Sequence, residues 1–154
     1  MSASARPRAA TRGEYIHLQA ITTRWMDNDA YGHVNNVLFL SYFDTVVNTY
    51  LIGQGALDIQ ASPVIGLVVE TGCQYLAPLT YPETVTAGLR VAHVGRSSVR
   101  YEIALFGEGS DIAAAQGYFV HVYVDRQSRR PVELPPALCS ALEPLRSPVL
   151  VKEA

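Results

Sequence analysis

Scarcity says much about this chain. Two cysteines, Cys73 and Cys139, are too few for a disulfide scaffold, and no paired ligand spacing marks a zinc site. That usage fits a reduced compartment, so a cytoplasmic location is expected. The histidines (His17, His33, His93 and His121) are dispersed and form no HExxH pair, so no metal and no other cofactor is expected. A Gly-x-Ser-x-Gly elbow is missing, which argues against a serine α/β-hydrolase, and no phosphate-loop or dinucleotide glycine signature follows a strand pattern. No apolar run reaches the ~18 residues that span a bilayer. Basic charge is also lacking: 12 Lys and Arg stand against 14 Asp and Glu, a net charge of -2, which gives no electrostatic case for nucleic acid. Neither a membrane nor a nucleic-acid partner is expected.

What is present fits one domain. At 154 residues, with 49% hydrophobic content, a chain can bury roughly 68–70% of its unfolded surface. Met1 to Arg12 is rich in Ala, Ser and Arg without a hydrophobic core region, so residues 1–12 read as a disordered extension rather than a secretory signal. Arg6, Arg8 and Arg12 then read as solvated tail charges. Residues 13–146 form the domain, and 147–154 a C-terminal tail.

The run Asp27-Asn28-Asp29-Ala30-Tyr31-Gly32-His33-Val34-Asn35-Asn36 concentrates the chemistry, because a long apolar helix pattern follows it at once. Phe39, Tyr42, Phe43, Val46, Val47, Tyr50 and Leu51 recur at the spacing of one helical face, which predicts a helix from Asn35 to Ile52. Val37, Leu38 and Leu40 widen that face, leaving a polar strip of Ser41, Asp44, Thr45 and Asn48 and marking a buried helix. Gly53 and Gly55 supply left-handed stop positions. A helix start exposes unpaired N–H groups at the positive end of the macrodipole. An acid just upstream of such donors suits acyl-group chemistry, one group activating the attack while the others polarise a carbonyl.

Beyond the helix the period changes to that of strands. Val64 to Glu70 is an apolar run, extended by Cys73 to Leu76 after an irregularity at Thr71-Gly72. Val85 to Val91 and Val99 to Leu105 alternate, and Ile112 to Val124 is a third long run. Ile16 to Trp25 makes a strand before the motif, and Ala137 to Leu145 a short helix or flap after it. The order of strand, helix and four strands excludes a doubly wound parallel sheet and points to an antiparallel sheet with one long helix.

Asp-x-Asp-x-x-Gly-His-Val-Asn-Asn, followed by a helix containing Tyr42-Phe43-Asp44, resembles the acyl-CoA thioesterases of the 4-hydroxybenzoyl-CoA thioesterase type. Tyr75-Leu76-Ala77-Pro78-Leu79 resembles that family's segment leading into the central strands, and Val94-Gly95-Arg96-Ser97-Ser98 its turn between two long strands. The likeness covers about residues 16 to 125. It implies the α+β hotdog fold, an antiparallel β-sheet wrapped around one long central α-helix. It also implies a homodimer, or a homotetramer built as a pair of dimers, with active sites at subunit interfaces, and an acyl-CoA or acyl-carrier-protein substrate. Three positions depart from the family pattern: Asn28 for threonine, Phe39 for tyrosine and Asp44 for glutamate.

Asp29 resembles the catalytic carboxylate, acting on water or directly on the thioester carbonyl. The residues themselves agree, since an aspartate with a reference pKa near ~3.9 is ionised at neutral pH. The alternative is that Asp29 caps the helix, for about 1 kcal/mol, and Asp27 is equally available for that structural duty. The backbone N–H groups of Val34, Asn35 and Asn36 are the expected oxyanion donors, and Gly32 allows close approach of substrate. His33 is expected to contact the carbonyl, orient Asp29 or hold the turn. Phe39 and Phe43 are expected to line the acyl pocket together with residues of the Val64 to Tyr75 strand, from which Glu70 reaches the site. By the resemblance, Arg96, Ser97 and Ser98 form the CoA-contacting turn, a role that arginine, hydroxyls and turn amides suit. Arg90 and Arg100 are weaker candidates for the nucleotide end. Cys73 reads as a buried apolar thiol rather than a nucleophile. The expected activity is thioester hydrolysis. A non-hydrolytic module that binds or senses the acyl thioester is the alternative, and a dehydratase of the same fold is disfavoured by its different helix-start motif.

Overall fold

The structure is a computed structural model and describes residues 6–146. Strand β1 (His17–Thr22) precedes helix α1 (Asn36–Gly53). After the helix come β2 (Val64–Tyr75), β3 (Thr84–Val94), β4 (Ser98–Phe106) and β5 (Ala113–Asp125), then a short helix α2 (Pro136–Leu142). The strands make one antiparallel sheet in the order β1-β3-β4-β5-β2. The 18-residue α1 lies against one face, and its Phe39, Tyr42, Phe43, Val46, Val47 and Leu51 share a core with Val85, Leu89, Tyr101, Ile103 and Phe119 of the sheet. The helix starts where the sequence predicts because Asn35 caps it, its side chain accepting the Val37 N–H at 3.2 Å. It ends at Gly53, and Gly55 follows in the left-handed region at φ 72°.

Helix α2 and the 3-10 turn Glu143–Leu145 close one end of the core with buried Leu138, Ala141, Leu142 and Leu145. The Tyr50 hydroxyl ties them to α1 by donating to the Ala141 carbonyl at 2.6 Å. At the N-terminus, part of the segment read as an extension lies against the sheet. The Ala10 carbonyl accepts from the Ala113 N–H at 2.8 Å. The Arg12 guanidinium donates to Ser110 O, Gly107 O and Thr86 Oγ1. Residues 1–5 and the tail from 147 onward lie outside the described residues.

The irregularity in β2 sits at Val69, two residues before the position the sequence suggests, where the register against β5 shifts between Val68 and Glu70. Before it, Gly66 and Val68 pair with Tyr123 and His121, whose rings lie on the α1 side. After it, Glu70 and Gly72 pair with Val120 and Tyr118 on the outer face. One extra residue thus reverses which side chains face the helix. Strand β2 is also an edge, bonded to β5 alone, and its Leu67, Val68 and Val69 are exposed.

Candidate active site

A tight loop built on two short pairings carries the chain from the 3-10 turn Trp25–Asp27 to α1. Asn28 bridges Val34, the Asp29 N–H donates to the His33 carbonyl at 2.8 Å, and the Gly32 N–H donates to the Asp29 carbonyl at 3.1 Å. Gly32 is needed for the turn itself, at φ 82°. The Asn28 side chain pins the loop to the neighbouring connection by accepting the Tyr81 N–H at 3.0 Å. This frame fixes two aspartates in opposite settings.

Asp27 is 1% exposed and saturated. It accepts from the Arg24 N–H at 2.9 Å, from the Arg24 guanidinium at 2.9–3.0 Å and from the Tyr42 hydroxyl at 2.6 Å. Burial pushes its carboxyl upward, but these hydrogen bonds and the Arg24 charge outweigh burial and hold it below the ordinary carboxylate range. The same contact, with burial leading, pushes the Tyr42 phenol far up. Asp29 is half-buried: Oδ1 accepts the Tyr31 N–H at 2.8 Å, and Oδ2 meets no donor among the described residues.

Asp29 opens into a cleft of about 400 Å³ lined by Tyr31, His33, Val34, Asn36, Phe39 and Tyr75, with Leu76 to Pro78 along one side. Of the three amides expected as oxyanion donors, two already have acceptors. The Val34 N–H donates to Leu79 O at 2.7 Å and the Asn35 N–H to Asp27 O at 2.9 Å. At the helix start the Val37 N–H goes to the Asn35 side chain and the Leu38 N–H to the Asn35 carbonyl. The Asn36 N–H meets no acceptor among the described residues, and Asn36 lines the cleft. A carboxyl oxygen without a donor and an open helix-terminal donor therefore share one recess, an arrangement able to activate an attacking group and polarise a carbonyl.

The other expected site residues divide. Gly32 and His33 lie in the exposed loop beside Asp29, the His33 side chain at the cleft. Phe39 lines the cleft with its ring 5.2 Å from that of Tyr75, whereas Phe43 is fully buried against Phe119 in the core. Glu70, turned outward by the Val69 bulge, stands beside the Tyr118 hydroxyl on the face away from α1. Arg96 and Ser97 form the β3–β4 turn and Ser98 begins β4. That turn lies the length of β3 from the connection that holds Asn28. Within one chain the structure does not bring it to Asp29. Arg90 and Arg100 are on the outer face, Arg90 paired with Glu102 at 2.9 Å and Arg100 stacked 3.8 Å over the Tyr118 ring. Burial pushes the Cys73 thiol up to about 11, the wrong direction for a nucleophile.

Sequence reasoning missed Tyr75 as an individual site residue. Its hydroxyl donates to the Asn36 carbonyl at 3.3 Å and its ring walls the cleft. The signal was present, since Tyr75 ends a strand whose alternation resumes after the irregularity. Among the described residues, no three His, Cys, Asp or Glu side chains converge as metal ligands, and no helix is long and apolar enough to cross a membrane.

The profile of the thioesterase-like superfamily matches residues 23–142. A curated relative, the L-carnitine dehydrogenase/betainyl-CoA thioesterase of Agrobacterium fabrum, is 26% identical over 133 residues. That match takes in 86% of this chain but only 27% of the relative's length, so the chain spans about a quarter of that protein. Among solved structures, the PA5185 protein of Pseudomonas aeruginosa is 56% identical with a TM-score of 0.89, covering 92% of this chain and 99% of its own. A thioesterase of Thermus thermophilus, solved with coenzyme A and zinc, is 28% identical with a TM-score of 0.69, covering 86% of this chain and 95% of its own.

Proposed function

The chain belongs to the thioesterase-like superfamily, and from that premise we propose that it hydrolyses acyl-CoA thioesters in the cleft between Asp29 and the start of α1. The observation that carries this reading is the pairing of the open Asp29 Oδ2 with the unpartnered Asn36 N–H in one recess. The thioester oxygen accepts from the Asn36 N–H, where the helix dipole favours the charge that develops on it. Asp29 takes a proton from water as the water oxygen bonds to the carbonyl carbon. The tetrahedral intermediate then expels sulfur, which leaves as the thiol with that proton, and the acid remains. In the variant route Asp29 itself attacks and water opens the resulting anhydride. A single turnover in ¹⁸O-labelled water separates the routes: the first puts one label into the acid, whereas the second, with water attacking the Asp29 carbonyl carbon of the anhydride, leaves the acid without label and puts it into Asp29.

The oligomer belongs to the same proposal. An edge strand of 12 residues with exposed Leu67, Val68 and Val69 is a ready surface for a second copy. Antiparallel pairing of two β2 edges about a two-fold axis exchanges their ends. The Val64 end of one copy, with its Arg96 turn, then approaches the Tyr75 end and Asp29 cleft of the other. That exchange would give Arg96, Ser97 and Ser98 access to the CoA portion of a substrate. Two unpaired cysteines fit a reduced, cytoplasmic setting.

The test is thiol release from short, long and aromatic acyl-CoAs by wild type and Asp29→Asn. Turnover by wild type that collapses in the variant supports the reading. Tight acyl-CoA binding without any turnover would replace it with the binding module.

A further inference from the structure

At the far end of α1 from Asp29, a second cavity of about 290 Å³ opens between the helix, the start of β2 and α2. Its walls are apolar: Leu51 of α1, Val64 and Ile65 of β2, Tyr123 of β5 and Leu138 of α2. It shares no residue with the Asp29 cleft. Asn36 and Asn48, one from each recess, are twelve helical residues apart, about 18 Å at 1.5 Å per residue. Three polar side chains join that wall: Asn48, bonded to Asp44; Arg126, whose guanidinium donates to the Ser62 and Ile59 carbonyls; and His121. His121 is 4% exposed; its Nε2 is walled off without a hydrogen-bond partner among the described residues, and its Nδ1 is turned toward Gly66 and the cavity. The Tyr101 and Tyr123 hydroxyls bond each other at 2.6 Å and not His121. A buried imidazole left without a partner is destabilising, and Nδ1 is the ring nitrogen that an occupant of the cavity can bond. Gly66 keeps the space beside the ring open, because a Cβ there would lie 3.1 Å from His121 Nδ1 and 2.9 Å from Tyr123 Cε1.

We propose that this cavity is a second binding site, for a compact, mainly apolar group that carries a single uncharged hydrogen-bonding atom and meets His121 with it. Size permits a ring: cavities of about 150 Å³ take up benzene. His121 calls for no charged partner, because burial pushes its imidazole down to about 4 and leaves it neutral near pH 7, and the Arg126 guanidinium on the same wall is held by the Ser62 and Ile59 carbonyls. A neutral ring nitrogen gives or accepts one hydrogen bond and offers no ion pair.

Toluene and 4-methylphenol differ by one hydroxyl and make a matched pair of probes. Histidine-labelled protein titrated with each, followed by NMR, should bind 4-methylphenol about tenfold more tightly than toluene and shift the His121 ring signals. His121→Leu should bind the two equally. Gly66→Ala should weaken both while leaving the fold intact by circular dichroism, a second reading should His121→Leu fail to fold. Equal affinities in wild type, or no binding of either, would overturn the proposal and leave only a trapped water for His121. The source of the natural occupant is read with 12-hydroxydodecanoyl-CoA bound to Asp29→Asn, whose apolar chain ends in one hydroxyl. Displacement of 4-methylphenol identifies the tail of such an acyl thioester, and retention a free small molecule; the shared chemistry stands in both. The titration needs no turnover, so a failure of the thioesterase reading shows separately in the thiol-release assay.

Discussion

Asp27 and Asp29 carry the same side chain two residues apart, yet one is walled in and the other stands open. Asp27 spends its oxygens on Arg24 and Tyr42 and fixes the turn before α1. Asp29 spends one oxygen on the Tyr31 amide and keeps the other for the cleft. The difference is one of topology rather than residue type. The 3-10 turn drives Asp27 under Tyr42, and the Gly32 turn lifts Asp29 clear. A walled-in acid and an open acid are thereby made from one dipeptide spacing, and each should fail in its own way.

The largest expected effect is on rate. Asp29→Asn should lower thioester hydrolysis by roughly 10²–10⁴ while leaving the melting temperature nearly unchanged, since its lost contact is one surface turn. Kinetics and calorimetry on the same sample check both halves. Next comes Asp27→Ala, which strands the Tyr42 hydroxyl and the Arg24 amide. It should cost about 2–3 kcal/mol of stability, read as a drop in the urea midpoint. An Asp27→Ala protein that keeps full stability and loses turnover would reverse the two roles. Smaller again, Tyr42→Phe removes a single hydrogen bond to a buried charge and should cost about 1.5 kcal/mol.

The pH dependence sharpens the same contrast. Asp27 has a folded pKa below its unfolded value of ~3.9. Its contribution is therefore present above about pH 4 and is lost as pH falls through the folded value. His121 acts over a higher window. Its folded value of about 4 lies below the ordinary 6.5, so stability is full above about pH 6.5 and declines as pH drops toward 4. Acid melting curves should thus show two steps. Tyr42→Phe should soften the lower one, His121→Leu should erase the upper one, and Asp29→Asn should leave both in place.

Much of this was legible in the chain. The predicted helix from Asn35 to Ile52 runs from Asn36 to Gly53, because its apolar period, its Asn35 cap and its glycine stops all agree. The succession of one strand, one helix and four strands along the chain followed from where the period changed. Phe43 was misassigned because an aromatic on the buried face of a helix looks the same whether it meets a cleft or the core, and the packing of Phe119 decides. Arg96 to Ser98 show a different limit. Their local character suits CoA, but the distance of the turn from Asp29 is set by the length of β3 and the order of strands in the sheet. The amides of Val34 and Asn35 were spoken for by Leu79 and Asp27, partners that no local pattern names.

Glu70 marks a boundary of another sort, and its cause reaches into inheritance. Loss of the single codon for Val69, in frame and chemically mild, would restore one uninterrupted alternation along β2. The pairs Val68 with His121 and Glu70 with Val120 are already consecutive along β5, so every side chain from Glu70 onward would keep its face and its partner, with Glu70 still outside and the Tyr75 ring still against Phe39. Substitution and deletion at Val69 ought therefore both to be tolerated, the deletion removing only the local bend. At this position the gene carries a spare letter.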